Sequence, residues 1–195
     1  MKKIMQISVL MGLFGFSQFD FDPAIVNQGD KYSSAKHENK EKFLKNARIY
    51  LSIPYHFGGR LTKSNPGLDC LGLMFLSYSK TFGKNWKEFS VNPSIIVKKE
   101  QLGKPVDGLD GILSENVEIS ELEEGDIIYL LTRNKIEDMP LANLNGIDYW
   151  PWHAGIYSDK EKNLFLEANP LYGVIEHDFK DVLNGNEAIF VTRIF

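Results

Sequence analysis

A single cysteine, Cys70, stands in 195 residues, and there is no second one for it to bridge. An intramolecular disulfide is therefore excluded, and so is a thiolate-rich zinc site. The four histidines are scattered and give no metal-ligand spacing, so neither a metal nor another cofactor is expected. Basic residues do not exceed acidic ones: 22 against 26, a formal charge of −4, which argues against nucleic acid as a partner. No apolar run reaches the roughly 20 residues that a membrane-crossing helix needs. Gly58-Gly59 lacks the downstream lysine and serine or threonine of a phosphate-cradling loop. Internal repeats and low-complexity tracts are also missing.

What remains is a globular composition, 43% hydrophobic and 25% charged, long enough for one domain with a real core. The first residues stand apart. Met1-Lys2-Lys3 is followed by an apolar stretch, Ile4 to Phe16, and then by the small residues Gly15 and Ser17 ahead of Gln18. A positive start, a short apolar run and small residues at its end form an export signal, here residues 1–17. Its removal would take Lys2 and Lys3 with it and move the charge from −4 to −6. A buried N-terminal helix is the alternative, but the abrupt change to Asp20 and Asp22 favours export to the periplasm or the extracellular space. No cysteine ends the apolar run, so a thiol-linked lipid anchor is excluded, and no stable membrane insertion is expected once the signal is gone. Residues 18–36 are polar and read as a lead-in arm to a domain spanning 37–195.

Within that domain, Phe43, Leu44, Ala47 and Tyr50 recur at helical spacing, predicting a helix over 37–51 that ends before Pro54. A tight loop follows, Pro54-Tyr55-His56-Phe57-Gly58-Gly59, continued to Leu68. The next predicted helix covers 69–82, with Asp69 as its N-cap and Gly83 as its stop. Residues 84–118 read as irregular, with a short helix over 94–101. Strands are predicted at 127–131, 153–157, 164–168, 173–176 and 188–194, with 133–152 a long excursion. The polar turn 159–163 makes a hairpin of two of them. Helices first and strands after give an α+β domain with an antiparallel sheet.

The chemistry is carried by Cys70 and His153. A thiol at a helix N-terminus meets unpaired backbone N–H groups and the positive end of the helix dipole, which favour the thiolate. A histidine beside it completes the activation of a cysteine nucleophile. Taken alone, a free cysteine is usually a small buried hydrophobe and a strand histidine a hydrogen-bonded core residue; the pair together outweighs both readings.

Three blocks in order resemble the NlpC-type cell-wall cysteine peptidases of the papain-like superfamily. They are Pro54-Tyr55-His56-Phe57-Gly58-Gly59, then Asp69-Cys70-Leu71-Gly72-Leu73, then Glu124-Gly125-Asp126-Ile127-Ile128-Tyr129 with His153-Ala154-Gly155-Ile156-Tyr157. The resemblance implies a nucleophile helix packed on a small antiparallel β-sheet, and hydrolysis of amide bonds in peptidoglycan stem peptides by a monomer. It implies Cys70 as nucleophile, His153 as general base, and an oxyanion site formed by the backbone N–H of Cys70 and the hydroxyl of Tyr55. Asp69 matches a position that holds a substrate amine in relatives, with helix capping as its local alternative. The third catalytic position, often histidine in relatives, falls on Glu167, whose carboxylate can orient an imidazole and stabilise its cation. Asn169, two residues along the same strand, is the reserve for that place. Leu71 replaces a serine common among the peptidoglycan-cutting relatives. With Trp150 and Trp152, which precede His153, it suggests a more apolar cleft wall. An amidase or acyltransferase on another acyl substrate, or a catalytically silent wall-binding module, are the alternatives to a stem-peptide hydrolase.

Overall fold

The computed structural model describes residues 23–195. The expected export signal, 1–17, lies outside the described residues, as do the first five residues of the expected arm. From Pro23 onward that arm is helical. Helix α1 spans Pro23–Arg48, with proline in its first turn. Phe43, Leu44, Asn46 and Ala47 are buried near its C-terminal end. Apolar periodicity marks the part that packs, and residues 34–42, exposed or half-buried, offer none to read.

Helix α2, Cys70–Phe82, follows the reading closely. The Asp69 side chain accepts a hydrogen bond from Gly72 N at 2.6 Å, and Gly83 closes the helix at φ 74°. Short elements follow: α3, Pro93–Lys98, capped by Asn92, and the two-residue strands β1, Lys104–Pro105, and β2, Ile112–Leu113. Then come β3, Ile127–Thr132; β4, Ala142–Leu144; β5, Ile147–Asp159; β6, Leu164–Asn169; and β7, Gly173–Asp178. Helix α4, Phe179–Asn184, and strand β8, Ala188–Arg193, complete the order. The path across the sheet is β1-β8-β3-β5-β6-β7, with β2 on β8 and β4 on β5, every pair antiparallel.

Alternation along β3 builds the two layers. Ile127, Tyr129 and Leu131 join the core shared with α1 and α2, while Ile128 and Leu130 face a second cluster with Phe165, Phe179 and Val182 that α4 helps to close. Helix α2 packs against α1 and across β5 and β6, so its N-terminus is carried to the strands that hold His153 and Glu167. The outcome is an α+β arrangement, as expected. Among the described residues no helix is long and apolar enough to cross a membrane.

Two stretches differ from the sequence reading. The excursion over 133–152 contains β4 and the first part of β5, joined at Asn145 and Gly146, with φ of 53° and 81°. That pair is a hairpin turn, which requires positive φ at both central residues. His153 therefore lies inside β5 and does not open it. Helix α4 was not foreseen; its six residues are too few to show a helical period.

Candidate active site

Cys70 is the first residue of α2, held where it is by a tied loop. Pro54 O accepts from Leu68 N at 3.1 Å and Leu68 O from His56 N at 3.0 Å, so the two ends of 54–68 run side by side. Gly72 lets the first turn of α2 rest against this loop: a Cβ there would lie 2.2 Å from Gly59 O. Asp69, buried beneath, joins the pieces. Its Oδ1 accepts from Gly72 N and, at 2.5 Å, from an Arg60 guanidinium nitrogen; its Oδ2 accepts from Gly58 N at 2.9 Å. Arg60 is also buried and sits 5.2 Å from the centre of the Phe75 ring. Asp69 therefore serves as cap and ion-pair partner, with both carboxylate oxygens occupied.

Opposite stands His153. A bulge in β5 puts Leu130 across from His153 but Leu131 across from Pro151, leaving Trp152 as the extra residue. Pro151 has no N–H to give to a ladder, which suits that place. Bulges re-aim side chains, and Trp152 is turned out, 48% exposed, with its indole N–H donating to Asn186 Oδ1 at 3.1 Å. His153 itself is buried, its Nε2 paired with Glu167 Oε2. Cys70 lines the same cleft as His153, near enough to raise the pKa of the ring, and Nδ1 is the ring nitrogen that Glu167 leaves free. Glu167 lies directly across from Gly155, a residue without a side chain, and reaches diagonally along the sheet to His153.

The electrostatics follow from these contacts. Burial pulls the His153 pKa down, but hydrogen bonds and charge from Cys70 and Glu167 outweigh it and raise the imidazole to about 9. Burial alone would push Glu167 up; the hydrogen bond and charge of His153, then Asn169 and His177, hold it below its ordinary value. At neutral pH the site therefore holds an imidazolium against a carboxylate. Tyr55 reaches the same cleft, and burial raises its hydroxyl pKa, with the charges of Cys70 and Asp69 adding to the effect. Its phenol remains a donor across the working range.

The structure thus brings together Cys70, His153 and Glu167, with Tyr55 and Trp152 on the cleft walls. Asn169 is one step removed: its side-chain amide donates to Glu167 Oε1 at 3.0 Å, and its own oxygen accepts from Leu171 N and Tyr172 N. Trp150 does not line the cleft, and His56 turns to the carbonyl of Phe57. Two partners were missed by sequence reasoning. Arg60 neutralises Asp69, and His177 on β7 places Nε2 2.8 Å from Glu167 Oε1 without the alignment of a hydrogen bond. The short turn between β6 and β7 sets a register that puts His177 diagonal to Glu167, a signal present in the sequence. Among the described residues no cluster of acidic, histidine or cysteine side chains is arranged to hold a metal ion.

No family model matches the chain, and no curated protein matches it either. Among solved structures it is similar to a Staphylococcus aureus protein described as similar to lipoprotein, of the NLP/P60 family, with a TM-score of 0.46 and 19% identity. The match covers 81% of this chain and 42% of that one, so the chain spans less than half of that structure's length. At that TM-score the likeness identifies neither a fold family nor an activity, and the site stands on its own geometry.

Proposed function

We propose that the protein is an exported cysteine hydrolase that cleaves an amide bond through a thiol-bound acyl intermediate. The observation that supports it most is a buried imidazole paired with a buried carboxylate in the cleft that the chain's one thiol also lines. In this reading His153 already holds the proton of the Cys70 thiol, and the thiolate sulfur attacks the substrate carbonyl carbon. The new S–C bond places negative charge on the carbonyl oxygen, to which the Cys70 backbone N–H and the Tyr55 hydroxyl donate hydrogen bonds. The imidazolium then protonates the leaving amine as the C–N bond breaks, and water, deprotonated by His153, releases the acid. Glu167 keeps the ring oriented and offsets its charge.

The stem peptides of peptidoglycan are the substrate class that the three sequence blocks imply. Purified sacculi incubated with the protein and analysed by mass spectrometry of the soluble fragments test this reading. Wild type is expected to release peptide fragments and Cys70→Ala none. Equal release by Cys70→Ala removes the thiol from the mechanism.

A further inference from the structure

The cleft in front of Cys70 has a volume of about 410 Å³, and its walls are Phe57, Leu71, Val91, Pro93, Pro151 and Trp152, together with the catalytic candidates. Three of these are large apolar side chains left open to water: Phe57 at 86%, Val91 at 75% and Trp152 at 48% exposure. Isolated exposed apolar residues need no explanation, but a group of them converging on one nucleophile marks a binding surface.

The charges tell the other half. Among the described residues, Arg60, Asp69 and His153 are the only charged residues that line the cleft. Asp69 and Arg60 neutralise one another at 2.5 Å, and two backbone N–H groups also donate to the Asp69 carboxylate. His153 is committed to Glu167 and the thiol. Among the described residues the cleft has no unneutralised carboxylate to meet a substrate ammonium, and an ammonium desolvated here would lack a counter-charge at considerable cost. From this we infer that the acyl side of the substrate is an uncharged apolar group, one without a free amine next to the scissile carbonyl. This inference rests on the thiol-hydrolase reading and narrows it.

Chloromethyl ketones test it without requiring turnover. Their carbonyl occupies the oxyanion position, the thiol sulfur forms a bond to the methylene carbon, the C–Cl bond breaks and chloride departs. The thiol proton remains on His153. The first comparison is leucyl chloromethyl ketone, which carries a free α-ammonium, against its des-amino analogue of the same shape. The des-amino reagent is expected to modify Cys70 about tenfold faster or more, a ratio set by the cost of burying the unpaired ammonium. The second is a series of alkyl chloromethyl ketones of increasing length. Rates should rise by up to about fourfold per methylene until the cleft is filled. Phe57→Ser and Val91→Ser, both at exposed positions, should flatten that slope relative to each variant's rate with the methyl reagent.

An ammonium reagent that reacts as fast as its analogue, or a flat length series in wild type, overturns the inference and leaves the nucleophile intact. Failure of every reagent to modify Cys70, read by peptide mass mapping, overturns the hydrolase reading and the inference with it.

Discussion

Replacing Glu167 by glutamine removes one charge from the site and keeps a side chain of equal length that still accepts from His153. His153 stands at about 9 because Cys70 and Glu167 together outweigh its burial. A hydrogen bond to a charged group is worth about 1.5 to 3 kcal/mol. With about 1.4 kcal/mol per pH unit, Glu167→Gln should bring the imidazole down to about 7 or 8. The same change must appear in stability. A folded pKa above the ordinary 6.5 means that the stabilising contribution of His153 is complete below pH 6.5 and is lost as the pH rises through about 9. That interval amounts to about 3 kcal/mol in wild type and about 1 to 2 kcal/mol in the variant. Glu167 works on the opposite side. Its pKa is held below 4.5, so its contribution is present above 4.5 and lost as the pH falls through the folded value; the variant lacks this acid limb. Imidazole ¹H–¹⁵N spectra across pH read the first quantity, with His153 identified by the signal missing from His153→Gln. Urea unfolding at pH 6 and pH 9.5 reads the second. An unchanged His153 titration in Glu167→Gln, with an unchanged alkaline loss of stability, refutes the reasoning. If Asn169→Ala alone lowers the titration, the orienting role belongs to Asn169.

Arg60→Met should destabilise the fold by about 3 to 5 kcal/mol, because it strands the buried Asp69 carboxylate; a urea midpoint close to wild type contradicts this. Gly72→Ala should cost about 1 to 3 kcal/mol, since its new methyl would press on Gly59 O. Calorimetry measures that cost, and a variant as stable as wild type shows that the loop and helix are not in forced contact. Protein recovered from the cell envelope should begin at Gln18 by intact mass; a chain still beginning at Met1 returns residues 1–17 to the body of the protein.

Local signals carried much of this architecture. Asp69 three residues ahead of Gly72 N is a capping pattern visible without any tertiary knowledge, and it located α2 and Cys70 within a residue. Strands β3, β6 and β8 were legible because their apolar runs are bounded by turn residues. The stretch of α1 ahead of Phe43 was not, because residues 34–42 are exposed or half-buried and leave no apolar period to read. The β4–β5 hairpin was legible in Asn145-Gly146 and was overlooked behind the proline in the strand, a residue the bulge accommodates. At the site, Cys70 and His153 could be named from type and order, and Glu167 from the family resemblance. The partners that set their charge could not. Whether Asp69 is free to meet a substrate depends on Arg60 arriving through a loop closure, and loop closure has no local signature.

Strand β8 is last among the elements in chain order, yet it lies inside the sheet, hydrogen-bonded to β3 on one side and to β1 and β2 on the other. Arg193 at its end grips the buried Asp126 at the start of β3 with two hydrogen bonds, of 2.8 and 2.7 Å. Synthesis is vectorial, so a ribosome that has delivered Cys70, His153 and Glu167 has still not delivered the strand that seals the sheet carrying two of them. Until residue 193 has emerged, β3 presents a bare apolar edge, the kind of surface that pairs with neighbouring chains. A nascent chain of this topology therefore gains from being held unfolded until it is complete, the condition in which a polypeptide threads through a narrow translocation channel. In an exported chain, Cys70 would meet His153 only after such a crossing.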